Sequence, residues 1–277
     1  MNKKIRVKHI IFYIILVLYS GVQIFPFYLR LINSLQAEGF IPVMGKLYLW
    51  PENLSFSNYA VAWKAAGLGR GYINSLIYVT LYTSISAIIV VIVGYVLAKK
   101  KFKGRKFIFF ILISTMMVPG EILFIPNYLL LRDINLLNKL SALIVPGLVN
   151  TFGIFLAKQF FMTIPDSILE SAHLDGASEL TIIRKIIFPL AGPVIATYFI
   201  ITYTTMWNEY IWPKIVLTKS KLYPVQLALH SFDTDFKTPY YDILNSAGMI
   251  MTFIPVVIVF LIFQKKFVEG ISLTGIK

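Results

Sequence analysis

Six long apolar runs dominate the chain, and they decide which kinds of fold are open to it. Each run can cross about 30 Å of hydrocarbon as an α-helix that rises about 1.5 Å per residue. A bilayer offers no water to the backbone N–H and C=O groups, so such a run must be helical. We therefore predict an all-α integral membrane protein with six transmembrane helices. The runs are residues 10–31, 71–98, 107–131, 140–161, 190–216 and 243–264.

The composition supports this class and excludes several kinds of chemistry. Hydrophobic residues make up 57% of the 277 residues and charged residues only 14%, against about 45–50% and about 25% in soluble domains. The chain has no cysteine, which excludes disulfides, a thiol nucleophile and a cysteine metal site. His9, His173 and His230 are far apart, and no phosphate-binding loop pattern is present. We therefore expect no catalytic residue, metal site or cofactor in this chain, and energy for any work must come from an ion gradient or another subunit.

The basic residues predict how the chain is oriented. With both termini in the cytoplasm, the inner segments hold 16 of the 26 lysines and arginines, six of them between Lys99 and Lys106. Short basic loops resist translocation, and they also explain the net charge of +13 without a nucleic-acid partner. The first run follows a basic front but is too long for a signal peptide and lacks a cleavage site. We predict a multi-pass protein of the cell membrane whose first span is not cleaved.

A polar stretch, residues 164–189, separates two of the apolar runs on the predicted cytoplasmic side. Proline is tolerated at a first helical position, so a helix is expected to begin at Pro165. Apolar residues recur at a spacing of four between Ile164 and Ala172, which gives the helix a narrow apolar stripe. Gly176 then interrupts the pattern, Ser178 is placed to cap a second helix, and a proline ends the segment. The stretch therefore predicts a bent helix pair with one adhesive face.

Polar residues inside the apolar runs have more than one interpretation. Glu121 follows Pro119-Gly120 and predicts a break near the middle of the third span. Its carboxylate either belongs to a translocation path, where it would bind a proton, or is satisfied by backbone groups freed at the kink. Asn150 and Thr151 in the fourth span either bond a polar solute or hold neighbouring helices together.

The end of the fifth run, residues 203–213, is rich in aromatic residues and amides. Tryptophan and tyrosine at this density are typical of the membrane–water interface. Aromatic faces beside amides also hold sugars, by stacking and by hydrogen bonds to hydroxyl groups. Tyr203, Trp207 and Asn208 therefore join Asn150 and Thr151 as candidates for a substrate path.

The polar stretch matches a known signature. Permease subunits of binding-protein-dependent ABC importers carry Glu-Ala-Ala, three residues, Gly, nine residues and Ile-x-Leu-Pro. Here residues 170–172, Gly176 and residues 186–189 stand at those spacings. The departures are Ser171 for alanine and Phe188 for leucine. The chain thus resembles this family at five of the motif's seven fixed positions.

Other stretches resemble the carbohydrate-uptake branch and, within it, the MalG-like subunit. They are residues 24–28, 72–75, 155–160, 207–209 and 263–270. The resemblance implies a type I ABC importer permease fold. Residues 1–71 would then hold the cytoplasmic N-terminus, the first transmembrane helix and the first external loop. Residues 72–264 would form the transmembrane core with a coupling loop at 163–189, and residues 265–277 a cytoplasmic tail.

By this resemblance the loop is a coupling helix that docks in a groove of a cytoplasmic ATPase subunit. Glu170 and Asp175 would meet basic or N–H groups of the ATPase, whereas Ser171 and Ala172 would permit close approach. The implied partners are a second permease, ATPase subunits that bind ATP and Mg²⁺, an extracytoplasmic solute-binding protein and a sugar. The coupling residues predicted in this way are Glu170, Ser171, Ala172, Asp175, Gly176, Ile186 and Pro189.

Two other functions stay open on the residues alone. An ion-coupled secondary transporter would use Glu121 or Glu209 as its ion site and would transport without other subunits. An assembly scaffold would recruit a soluble ATPase and have no solute selectivity. The sequence does not identify which sugar an importer of this kind would carry.

Overall fold

A computed structural model describes residues 3–37, 39–43, 45–235 and 239–275, with side chains placed in 9–37, 39–43, 45–232 and 242–265. Every regular element in these ranges is a helix, as expected for segments that must satisfy their own backbone groups. The α-helices are α1 (Lys3–Ser34), α2 (Ser57–Ala65), α3 (Leu68–Lys99), α4 (Arg105–Thr115), α5 (Phe124–Asp133), α6 (Ser141–Ile144), α7 (Thr151–Met162), α8 (Asp166–Leu174), α9 (Glu179–Ile182), α10 (Phe188–Leu190), α11 (Gly192–Asn208), α12 (Ile211–Val216), α13 (Val225–Asp235) and α14 (Pro239–Gly275). Short 3-10 turns cover Gly120–Leu123, Val145–Gly147 and Ser220–Leu222, and a π-helical turn covers Ile183–Ile187.

The described helices include three that are long and apolar enough to cross a membrane without a break. They are His9–Ser34, Leu68–Lys99 and Asp242–Lys265. Three further pairs qualify only when two helices are taken together across a bend. These pairs are Arg105–Thr115 with Gly120–Asp133 at 93°, Ser141–Gly147 with Thr151–Met162 at 47°, and Glu179–Leu190 with Gly192–Asn208 at 69°. The predicted six spans are reached only if each bent pair is one span.

The break predicted in the third run is confirmed. α4 ends at Thr115, and Pro119 precedes the 3-10 turn that holds Glu121. Pro126 lies in the first turn of α5, where its missing N–H removes no helical hydrogen bond. The run is therefore two helices that meet at 93°, and the prolines allow the turn without leaving a helical N–H unpaired.

The fifth run is shorter than predicted. α11 ends at Asn208 instead of continuing to Val216, because Glu209 adopts extended backbone. The Oε1 atom of Glu209 accepts hydrogen bonds from the N–H groups of Ile211 at 2.7 Å and Trp212 at 3.1 Å. These bonds satisfy two donors at the start of α12, so this carboxylate starts a second helix where one continuous helix was expected.

The chain forms two compact units, each assembled from two stretches. The first unit contains the described residues of Met1–Gly69 and Ala228–Ile254. Its core joins Ala62 of α2 to Phe232 of α13 and Leu244 of α14. Arg30 Nη1 donates to Asp242 Oδ1 at 2.8 Å. Two stretches that are far apart in the sequence therefore meet within this unit.

The second unit contains the described residues of Arg70–Leu227 and Pro255–Lys277. Its core packs α3, α7 and α11 together with the polar loop between α7 and α11. Gly153 lets these helices approach closely, because a Cβ there would lie 2.5 Å from the ring of Tyr198 and 2.7 Å from Val90. This packing supplies the rigid base on which the polar loop lies.

Candidate functional site

The polar loop folds as the predicted bent helix pair. α8 begins one residue later than expected, because Pro165 precedes it as the N-cap. Gly176 follows with a φ of +76°, in the left-handed region that glycine enters at little cost. The Oγ atom of Ser178 accepts the Thr181 N–H at 3.4 Å and caps α9 as predicted. Pro189 lies inside α10 rather than ending the segment, and it is tolerated in that first turn.

One face of the loop is buried against the chain's own core. Leu169 and Ala172 of α8 pack there, as do Ile182 and Ile187 beyond the bend, near Tyr95 of α3. Ala172 was predicted to permit close approach of an ATPase, but its side chain is 8% exposed. In this conformation Ala172 lies against the chain's own core, and its contact with an ATPase stays a prediction. Of the predicted stripe, Ile164 and Ala172 pack against the core, whereas Ile168 is 40% exposed and Leu169 is buried instead.

The opposite face of the loop exposes two leucines that were not among the predicted coupling residues. Leu174 is 89% exposed and Leu180 is 74% exposed, one on each side of Gly176. Leu174 lies two positions after Ala172, which places it on a different side of the helix from the buried stripe. Leu174 does not fall on the four-residue apolar spacing of α8. This mismatch was the feature of the sequence from which its exposure could have been predicted.

The other predicted coupling residues lie mostly on the surface. Glu170, Ser171, Asp175 and Gly176 are exposed, as is Pro189. Ile186 is half-buried and packs against the core. The loop therefore presents carboxylates and leucines outward.

The C-terminal end of α3 holds the loop on both sides of its bend, through what we call the lysine clamp (Lys99 and Lys100). Lys99 Nζ donates to the Ile164 carbonyl at 2.5 Å and to Asp166 Oδ1 at 2.6 Å. Lys100 Nζ donates to Glu179 Oε1. These ammonium groups hold the pKa values of the Asp166 and Glu179 carboxyls below their usual range. Because one clamp residue bonds α8 and the other α9, α3 and the loop are joined as one piece.

Asn150 and Thr151, predicted for the substrate path, serve the start of α7. Asn150 Oδ1 accepts the Gly153 N–H at 2.8 Å and caps the helix. Thr151 Oγ1 lies 3.2 Å from Thr115 Oγ1 at the end of α4, so the two hydroxyl groups share a hydrogen bond. These contacts agree with the alternative in which the pair holds helices together.

Tyr203 and Trp207 are buried, and their rings stack with centroids 5.8 Å apart. Tyr72 packs edge-on against Trp207 at 5.7 Å. Both rings are covered by the chain's own residues, and neither is open to a solute in this conformation. Asn208 is exposed and accepts a hydrogen bond from Gln226 Nε2 at 3.2 Å.

A cavity of about 300 Å³ lies beside these residues in the second unit. This volume is at the lower end of the range for small-molecule sites. Its walls are mainly aromatic and aliphatic, with two polar side chains, Asn127 and Glu209. The lining residues are Tyr78, Tyr82, Gly120, Leu123, Phe124, Asn127, Leu143, Pro146, Gly147, Met206, Glu209, Trp212 and Pro213.

Hydrogen bonds fix three of the aromatic walls. The Tyr78 hydroxyl donates to the Met206 carbonyl. The Tyr82 hydroxyl donates to the Gly147 carbonyl at 2.6 Å, and Trp212 Nε1 donates to the Ala142 carbonyl at 3.1 Å. The rings are thus held in place before any ligand binds. Rigid aromatic faces with a few polar groups can bind a molecule that has both apolar faces and hydroxyl groups.

None of the five predicted substrate-path residues lines this cavity. Tyr78 and Tyr82 are four residues apart in α3 and so share one side of that helix. That spacing, and the polar Asn127 within an apolar run, were signals that the sequence analysis did not use. Of the two carboxylates considered as ion sites, Glu209 lines the cavity and Glu121 does not. Across the described side chains, no three His, Asp or Glu residues gather as they would to hold a metal ion.

Comparisons with known proteins agree with this architecture. The chain matches the family described as "Binding-protein-dependent transport system inner membrane component" over residues 90–272. It is 32% identical over 231 residues to the arabinooligosaccharides transport system permease protein AraQ of Halalkalibacterium halodurans, covering 82% of this chain and 81% of that protein. It is also 32% identical over 259 residues to the melibiose/raffinose/stachyose import permease protein MelC of Bacillus subtilis, covering 91% of each.

A solved structure shares the fold over nearly the whole length. A chain of a bacterial ABC transporter involved in the import of the acidic polysaccharide alginate superposes with a TM-score of 0.84 at 26% identity. The match covers 96% of this chain and 99% of that chain. With the family match over residues 90–272, this establishes that the chain belongs to the inner membrane components of binding-protein-dependent transport systems.

Proposed function

We propose that this chain is one of two permease subunits of an ATP-driven importer for a sugar or oligosaccharide. The names of AraQ and MelC support a sugar as the cargo. The chain itself would not hydrolyse ATP, because ATP and Mg²⁺ would bind to partner ATPase subunits. Residues 72–264 would form the transmembrane core, with both termini in the cytoplasm. A second permease would complete the translocation path, and a solute-binding protein would deliver the sugar from outside.

The observation that carries this proposal is the two-sided polar loop. Its inner face is buried and clamped to α3, while its outer face exposes Leu174 and Leu180 beside the carboxylates of Glu170 and Asp175. A short exposed apolar pair flanked by charges suits recognition of a helix by a groove. Movement of an ATPase groove would pull the loop and, through the lysine clamp, α3. Shifting a two-state permease from 1:99 to 99:1 needs about 5.5 kcal/mol of differential binding.

The cavity suggests the part of the path that this chain contributes. Aromatic faces at Tyr78, Tyr82, Phe124 and Trp212 would stack on sugar rings, and Asn127 would bond hydroxyl groups. The described lining contains one carboxylate, Glu209, and no basic side chain. An anionic cargo would find no countercharge on these walls, so we favour an uncharged sugar over an acidic one.

Uptake by the assembled transporter in proteoliposomes tests the function. With ATP inside and the binding protein outside, we expect uptake of a neutral oligosaccharide, such as raffinose or an arabino-oligosaccharide, but not of alginate oligomers. A protonophore should leave this uptake unchanged. Proton-driven uptake by this chain alone would instead establish the secondary transporter, and ATPase recruitment without any uptake would establish the scaffold.

Replacing an outer leucine tests the coupling assignment separately. Leu174→Ala removes a side chain that is 89% exposed, so we expect lost binding of the ATPase subunit but an unchanged unfolding temperature. Ala172→Leu is the matched control. Overpacking a buried site costs about 1–3 kcal/mol of stability, so this variant should lower the unfolding temperature. If Leu174→Ala supports normal ATP-driven uptake, the outer face of the loop is not the ATPase contact.

A further inference from the structure

The basic segment after α3 divides into two sets of residues. Lys99 and Lys100 are occupied by the loop, through Asp166 and Glu179. The side chains of Lys101, Lys103 and Lys106 make no hydrogen bond or ion pair with any side chain that the structure describes, and all three are exposed. Setting the orientation of the chain requires positive charge in this loop, but it does not require that the charges converge on one place.

Three of the cations in this segment do converge on one pocket. A concavity of about 450 Å³ is lined by Lys101, Phe102, Gly104, Arg105, Lys106 and Phe107. Arg105 Nη1 donates to the Lys100 carbonyl at 3.1 Å, which anchors the guanidinium at the wall. This bond uses one of the five N–H donors of arginine, so others are free for a ligand. No acidic side chain lines the pocket, and its chemistry therefore suits an anion.

The helix that continues from this pocket is apolar on its surface. Phe107 is 67% exposed and Phe110 is 68% exposed, and Ile108 and Ile111 are also exposed. An exposed apolar helix directly after a group of cations is the pattern of a chain that passes from the headgroup region into hydrocarbon. A ligand with an anionic head and an apolar tail would therefore find cations for its head in the pocket and an apolar helix surface for its tail beside it.

We propose that this pocket, which we call the basic pocket (Lys101, Phe102, Gly104, Arg105, Lys106 and Phe107), binds the headgroup of an anionic phospholipid. Lys101, Arg105 and Lys106 contact the phosphate oxygens, because ammonium and guanidinium groups make short charge-assisted bonds to phosphate. Phe107 and Phe110 contact the acyl chains along α4. This site is separate from the sugar cavity and from the loop, so it stands whether or not the chain imports sugar.

The experiment compares spin-labelled phosphatidylglycerol with spin-labelled phosphatidylcholine on the full chain in phosphatidylcholine vesicles. Electron paramagnetic resonance measures the fraction of each probe that the protein immobilises. We expect the wild-type chain to prefer phosphatidylglycerol. Each lysine near an anionic headgroup contributes a factor of about five, so Lys106→Gln alone should lower the preference about fivefold. Lys101→Gln, Lys103→Gln and Lys106→Gln together should lower it further.

The control variant removes the same charge elsewhere. Lys64→Gln, Lys219→Gln and Lys221→Gln change three exposed lysines and should leave the preference unchanged. An equal fall in the control would show that net charge alone attracts the lipid and would overturn the site. An unchanged preference in both Lys106→Gln and the triple variant would overturn it too. Displacement of the probe by millimolar inorganic phosphate would make this a phosphate site and not a lipid site.

Discussion

Gly176 bends the loop with a φ of +76°, and no atom lies within 4 Å of the place that a Cβ would take. A side chain there would therefore meet backbone strain and no steric clash. The left-handed conformation costs most L-residues about 1–2 kcal/mol, whereas asparagine visits it more readily. The constraint at this position thus concerns the backbone alone, and the choice of side chain tests it directly.

We predict that Gly176→Ala lowers ATP-driven uptake and the unfolding temperature, while Gly176→Asn retains most of both. The expected loss of stability in the alanine variant is about 1 kcal/mol. Thermal unfolding of the purified chain and uptake by the assembled transporter provide the two measurements. If alanine and asparagine behave alike, the left-handed bend is not what this position contributes.

Asn127 is half-buried in the cavity wall, and its amide makes no hydrogen bond with any described residue. We predict that Asn127→Leu raises the KM for the sugar about tenfold, since one lost hydrogen bond to an uncharged group costs about 0.5–1.5 kcal/mol and an unpaired sugar hydroxyl adds to it. Basal ATP hydrolysis should not change. Asn150→Ser is the matched control and should leave the KM unchanged, because serine keeps an oxygen that caps α7. Equal KM values in Asn127→Leu and wild type would remove Asn127 from the path.

At the scale of elements, the lysine clamp joins a membrane helix to the loop through contacts that are short but partly exposed. Lys99 is 8% exposed and its partner Asp166 is 73% exposed. Such a pair contributes at most about 1 kcal/mol to stability. The pair therefore contributes little stability, but it transmits any displacement of α8 directly to α3.

We predict that Lys99→Gln lowers the unfolding temperature slightly at pH 7 and uncouples ATP hydrolysis from uptake. The Lys99 ammonium depresses the pKa of Asp166, so this contribution is present above the unfolded-state pKa and is lost as pH falls through the lower folded-state pKa. The difference between wild type and variant should thus be constant from pH 6 to 8 and shrink below about pH 4. Thermal unfolding against pH measures it. A difference that persists in full in acid would mean that the Ile164 carbonyl, not Asp166, is the partner that matters.

For the whole molecule, the orientation proposed for the chain can be tested by thiol labelling without interference from native cysteines. The chain has no cysteine, so a single introduced thiol reports its own position. Leu174 is 89% exposed in the loop and Trp50 is 75% exposed between α1 and α2. We predict that a membrane-impermeant maleimide labels Trp50→Cys in intact cells and labels Leu174→Cys only after permeabilisation. The reverse pattern would place the loop outside and end the coupling assignment.

The bent helix pairs show how far apolar runs could predict the elements. Runs of sufficient length predicted where the membrane helices lie, and Pro119 and Gly120 predicted the 93° break in the third run. The stop at Asn208 was missed, because it depends on a carboxylate, Glu209, that bonds the backbone of the next helix. Local side-chain caps of that kind are set by geometry and leave no apolar pattern behind.

The apolar runs were enough to predict a helical, membrane-embedded chain, since only helices satisfy the backbone of such runs in lipid. The sequence also determined the bend at Gly176 and the cap at Ser178, which depend on local backbone chemistry. Packing between distant parts of the chain was needed to show that Ala172 faces inward while Leu174 faces outward. The same holds for the cavity at which Tyr78, Asn127 and Glu209 meet. Periodicity shows that a helix has an apolar side. It cannot show whether core, lipid or a partner covers that side, because all three are similarly apolar.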